Sequence, residues 1–168
     1  MLAGRRIWTR PKRRRYTCHM KWIDIPPAWL VLALVITWLI GQVQPMSWAL
    51  SHPVTDLIGG LLVGGGIVLI VLAAVEMRKQ RTTIVPHMEA DHLVTTGIFR
   101  RSRNPIYLGD ALVLAGFALW WGVPVALLLV PLFMATITAR FIVPEENALR
   151  RKFRADFARY CQKTRRWV

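Results

Sequence analysis

Acidic residues are scarce in this chain of 168 residues: 9 Asp+Glu stand against 23 Lys+Arg, a formal net charge of +14. Cysteine is scarcer still. Cys18 and Cys161 lie near opposite ends without metal-type spacing, so neither a disulfide framework nor a zinc module is indicated. Long stretches hold no charge of either sign. The low hydrophobicity of a disordered basic chain is missing too, since 54% of the residues are hydrophobic and the mean hydropathy is +0.36. A soluble nucleic-acid binder this basic is seldom so apolar. What remains is a small, single-domain, all-α membrane protein.

The run from Ala28 to Val43 has no charged residue, and neither has the run from Leu57 to Val75. Each predicts a membrane-spanning helix. Ile106 to Trp121 is apolar except for Asp110, and Val125 to Ile142 is interrupted only by Arg140. Trp121-Gly122-Val123-Pro124 predicts a tight break between them. A 16-residue third helix reaches about 24 Å at 1.5 Å per residue, short of a ~30 Å hydrocarbon layer, and would rely on Trp120 and Trp121 at the interface.

The basic residues divide unevenly. Eight precede the first run, none lies between Gln42 and Asp56, six fall in the next loop, none occupies the third-to-fourth turn, and nine follow from Arg140. Four spans with both termini and the long central loop in the cytosol put every Lys and Arg on one side. A cleaved signal peptide is the rival for the first run, but that run is long and no A-x-A site follows, so a retained helix is expected. The polybasic start, RRIWTRPKRRRY, reads as a topology signal that touches anionic lipid, not as a nucleic-acid arm. The expected segments are 1–27, a basic cytosolic N-terminus; 28–75, two spans; 76–105, a central loop; 106–142, two further spans; and 143–168, a C-terminal segment.

In the second run the spacing Gly60-x-x-x-Gly64 predicts a face that packs on a neighbouring helix. From Glu145 onward, Leu149, Phe153, Phe157 and Tyr160 recur at helical steps among basic residues, which predicts an amphipathic cytosolic helix lying on the membrane surface. The pair Glu145-Glu146 at its start has two readings: complement to a helix dipole, or holder of a cationic ligand. In the central loop, His87, Glu89, Asp91 and His92 are metal-type side chains with no helix to fix their faces, and a metal site there is not expected. Gly97 predicts a special backbone conformation, and Asn104-Pro105 predicts the stop before the third helix.

The strings Leu93-Val94-Thr95-Thr96-Gly97-Ile98-Phe99 and Arg103-Asn104-Pro105-Ile106-Tyr107-Leu108-Gly109, followed one hairpin later by Glu145-Glu146-x-x-Leu149, resemble the C-terminal signature of the isoprenylcysteine carboxyl methyltransferases. The N-P-x-Y-x-G string and the later E-E pair also resemble phosphatidylethanolamine N-methyltransferases. The resemblance covers about Asp91 to Trp167. It implies an integral membrane methyltransferase that uses S-adenosylmethionine on the cytosolic side. By position it implies His92, Leu93 and Val94 lining the cofactor, with Gly97 and Phe99 beside them. Asn104, Pro105, Ile106 and Tyr107 would form the next wall, Glu145 would contact the cofactor, and Glu146 would support it. The chain departs from the carboxyl methyltransferases at Asn104, where they mostly have His and the phospholipid enzymes have Asn, and at Phe99, where Tyr is commoner. The substrate-holding Arg of that family would fall at Phe141, with Arg140 one place earlier.

A sulfonium and an ammonium near a low-dielectric boundary call for carboxylates, and methyl displacement calls for alignment and exclusion of water more than for a nucleophile. The expected acceptor is lipid-like, an isoprenylcysteine-type carboxylate first and a phospholipid amine as alternative. Membrane lipids are the expected partners, and nucleic acid is not. For the acceptor itself, Arg140 suits a carboxylate or phosphate if it turns inward. Asp110 suits an amine, or else pairs with Arg140.

Overall fold

The computed structural model describes residues 25–49, 52–80 and 93–168. Every regular element among them is helical. Pro26 opens α1 (Pro26–Val43), a first-turn position where the missing N–H costs nothing. A short 3-10 turn at Met46–Trp48 leads to α2 (Pro53–Lys79), whose first turn is capped by His52 Nδ1 accepting from the Val54 N–H at 3.2 Å. After the central segment come a 3-10 turn at Gly97–Arg100 and α3 (Pro105–Trp120), which starts at Pro105 as the Asn104-Pro105 stop predicts. Gly122 turns the chain with φ 66°, and its carbonyl accepts from Gln44 Nε2 at 2.8 Å, tying the end of α1 to this corner.

Three helical stretches are long and apolar enough to cross a bilayer: Pro26–Val43, Pro53–Lys79 and the continuous path from Pro124 to Lys163. Pro105–Trp120 is shorter. Nonetheless α3 is the most enclosed element, with Tyr107, Asp110, Leu114 and Ala118 among its buried residues. It has α2 on one side, and α1 and α4 (Leu129–Ile137) also pack against it.

The α2–α3 contact is antiparallel and made by glycine, but not by the expected pair. Gly60 and Gly64 have open space where a Cβ would be. Gly59 and Gly66 face Gly116 and Gly109 instead, so closely that a Cβ on Gly66 would stand 2.7 Å from the Gly109 carbonyl oxygen. Seven residues separate Gly59 from Gly66, and seven separate Gly109 from Gly116, so two close approaches one heptad apart set the register. The x-x-x spacing named the right helix and the wrong face, because five glycines on one helix offer several stripes and only the partner's small residues select one.

The C-terminal path also differs from expectation. No break separates the fourth run from Glu145. A π turn at Thr138–Ile142 joins α4 to α5 (Val143–Lys163), and the direction changes later, at Arg154, whose φ of 38° and ψ of −105° interrupt the helix. The apolar face is also only partly available to lipid: Phe157 is 1% exposed and Tyr160 8%, both covered by protein. The Tyr160 hydroxyl donates to the Phe99 carbonyl at 2.6 Å, so the 97–100 turn takes the place expected for the membrane surface.

Candidate functional site

The N-P-x-Y string occupies the start of α3 and the E-E pair the start of α5, 38 residues apart in sequence between Tyr107 and Glu145, and the fold brings them together. Buried Tyr107 donates its hydroxyl to Glu145 Oε1 at 2.9 Å. A helix joined by Pro105 at its first turn presents Tyr107 just inside α3, and the π turn before α5 sets which way the two glutamates face. One extra residue in the turn advances the helix face by roughly 100°, and such turns recur at functional sites. Phe141 and Ile142, in the π turn, are both fully buried beside Tyr107.

Glu145 and Glu146 then part company. Glu145 is half-buried at Tyr107, whereas Glu146 is 7% exposed and gripped by two arginines. Arg166 donates to it from Nε at 3.1 Å and from Nη2 at 2.7 Å, and Arg103 Nη2 lies 3.5 Å away. A two-pronged guanidinium–carboxylate pair is strong and directional. The hydrogen bonding to Glu146 raises the Arg166 pKa above its ordinary value.

The tail that carries Arg166 runs beside the loop before α3. Ser102 and Arg165 form an isolated parallel bridge, with the Arg103 N–H donating to the Arg165 carbonyl at 3.1 Å. Asn104 Nδ2 donates to the Arg166 carbonyl at 3.1 Å, and Thr164 Oγ1 donates to the Arg100 carbonyl at 3.3 Å. Trp167 packs on the cluster that includes Tyr107 and Ile142. The Arg103 guanidinium also donates to Cys161 Sγ. Arg103, Ser102, Thr164 and Arg166 escaped sequence reasoning. In a tail with Lys163, Arg165 and Arg166, no spacing marks one cation as a partner of Glu146.

The other expected residues fall as follows. Gly97 has φ +58°, and a Cβ there would stand 2.8 Å from the Glu76 carboxylate, which also accepts a hydrogen bond from Thr96. Phe99 and Pro105 are buried and Ile106 is half-buried at the head of α3, while Leu93 and Val94 are half-buried before the turn. His92 lies outside the described residues, as do His87, Glu89 and Asp91. Asp110 is 6% exposed, one helical turn beyond Tyr107, with no hydrogen bond or ion pair among the described residues. The expected pairing with Arg140 is therefore not made: Arg140 is exposed, its guanidinium 5.4 Å from the Trp29 ring centre. The reason is local, since the π turn buries Phe141 and leaves Arg140 on the outer face.

The arrangement is a carboxylate held by a buried phenol, with a second, buried carboxylate one turn deeper in the same helix. That donor set suits a cationic ligand at Glu145. A family model described as phospholipid methyltransferase matches residues 54–156, which contain α2, the central segment, α3 and the glutamate pair. An uncharacterized protein of Haemophilus influenzae is 40% identical over 63 residues, 38% of this chain and 100% of that protein. No solved structure matches.

Proposed function

The chain belongs to the phospholipid methyltransferase family, and from that premise we propose that it is an S-adenosylmethionine-dependent enzyme that methylates the amine of a membrane phospholipid at the inner face. A membrane methyltransferase is what the family and the apolar helices support in general terms. The amine rests on one observation, the position of Asp110. A buried carboxylate without a partner among the described residues carries a desolvation cost, which a cationic or hydrogen-bonding ligand offsets. Asp110 stands one turn from the tyrosine that holds Glu145.

When bound, S-adenosylmethionine supplies a methyl group on a positively charged sulfur. The residues that would hold it are those the resemblance implies, with Glu145, oriented by the Tyr107 hydroxyl, offsetting its positive charge. An amine acceptor must be uncharged for its nitrogen lone pair to take the methyl group. Asp110 takes the proton that the nitrogen gives up. Tyr107, Ala111, Leu114 and Phe141 belong to one buried cluster beside this place, and a dry wall of that kind would strengthen both electrostatic interactions. A carboxylate acceptor asks instead for a cation at the same place, and Arg140 lies over Trp29 while buried Phe141 fills the neighbouring position.

The test is transfer of labelled methyl groups from S-adenosylmethionine into a lipid extract by protein purified in detergent, with the product identified by mass. Base-stable label on a phospholipid amine is expected. Base-labile label would move the reading to a carboxyl ester. Intact binding of S-adenosylhomocysteine with no transfer to any lipid would point to a non-catalytic protein that keeps the fold.

A further inference from the structure

Beyond Tyr107 and Glu145, and sharing Leu93 with the wall that the resemblance implies for the cofactor, the molecule has a cleft of about 790 Å³ between the segment before α3 and the part of α5 around and beyond Arg154. That volume falls within the range of small-molecule sites. Leu93, Phe153 and Tyr160 supply its apolar lining, Thr95 and Thr164 its hydroxyls, and Arg100, Arg159 and Lys163 its cations. Asp156 is the single acid among the described residues that line it, and it is paired with Arg159. Three cations against one acid leave an excess positive charge over an aromatic floor. The cleft owes its shape to the non-helical Arg154, which turns the last part of α5 across the 97–100 turn, where the Tyr160 hydroxyl is already committed to the Phe99 carbonyl.

We propose that this cleft binds the headgroup of an anionic lipid, its phosphate among Arg100, Arg159 and Lys163 and its glycerol end against Leu93 and Phe153. The apolar lining favours a lipid over free phosphate. The same three cations disfavour a headgroup that carries its own ammonium, so the occupant is a different molecule from the amine-bearing acceptor. Each basic residue near an anionic headgroup contributes on the order of 1 kcal/mol, or about fivefold in affinity. The proposal does not rest on methyl transfer, because it concerns equilibrium binding alone.

The experiment titrates the full chain, purified in detergent, with dihexanoyl phosphatidic acid, dihexanoyl phosphatidylethanolamine and glycerol 3-phosphate, and reads binding by calorimetry. Saturable binding of phosphatidic acid is expected, with the other two weaker by about tenfold or more. The double variant Arg159→Gln/Lys163→Gln weakens it by about tenfold or more, and Arg100→Gln alone weakens it about fivefold. Asp156→Asn, which releases Arg159, tightens it, a gain that no folding defect produces. S-adenosylhomocysteine affinity stays level in every variant. Equal affinity for the two lipids, equal affinity for glycerol 3-phosphate, or no saturable binding would overturn the proposal. So would loss of S-adenosylhomocysteine binding in folded Arg100→Gln, which would assign the cleft to the cofactor.

Discussion

Glu146 accepts two hydrogen bonds from Arg166, at 3.1 and 2.7 Å, so the start of α5 and the tail beyond its end are clasped together. Arg103, with its side chain 15% exposed, closes the cluster from the loop before α3. Removing Glu146 leaves an enclosed guanidinium without its carboxylate, whereas removing Arg166 leaves Glu146 still facing Arg103. Glu146→Ala is therefore expected to destabilise by about 3 kcal/mol and Arg166→Ala, more exposed, by about 1 kcal/mol. Thermal unfolding in detergent checks the order.

Tyr107 and Glu145 act as one unit. Tyr107→Phe and Glu145→Gln each are expected to weaken S-adenosylhomocysteine binding by about tenfold, since each removes or weakens a charge-assisted hydrogen bond. The double variant loses less than the product of the two. A calorimetric double-mutant cycle measures the coupling, and strict additivity would deny it.

Asp110→Asn keeps the shape of the side chain and removes its capacity to accept a proton. Methyl transfer to an amine is expected to fall by about 10²-fold or more, while S-adenosylhomocysteine affinity is unchanged. Steady-state kinetics alongside calorimetry separates the two effects.

The glycines of α2 are not equivalent. Gly66→Ala puts a methyl group 2.7 Å from the Gly109 carbonyl oxygen and is expected to cost about 1–3 kcal/mol, whereas Gly64→Ala meets nothing and is neutral. Thermal stability of the two single variants decides this.

The uneven division of the basic residues among the segments predicts that a fusion at Val168 reports from the cytosol and one at Ser47 from the opposite side. A cytosolic signal from the Ser47 fusion would reverse the topology.

Much of the helical layout was legible because apolar runs and Pro or Gly stops act over neighbouring residues: α1 lies within two residues of its charge-free run, Pro105 opens α3, and Gly97 and Gly122 adopt the positive φ their turns require. The site was legible only as motifs. That Tyr107 meets Glu145, and that Asn104 gives its amide to the Arg166 carbonyl, depends on contacts 38 and 62 residues apart, which carry no periodic signal. The covering of part of α5 was hidden for the same reason: Leu149, Phe153, Phe157 and Tyr160 recur at helical steps, but periodicity cannot say that protein covers Phe157 and Tyr160.

The amino-acid order alone determined that three stretches are long and apolar enough to cross a membrane and that the basic residues gather mainly in the segments outside the apolar runs. Transfer free energy makes these choices segment by segment, without reference to any partner. The tertiary structure decided which glycines face a neighbour, which glutamate is clasped by arginine and which remains at the tyrosine, and that Arg140 looks outward while Asp110 is enclosed. Those outcomes follow from close packing and from the need to pair enclosed charge, and both depend on what the rest of the chain brings alongside.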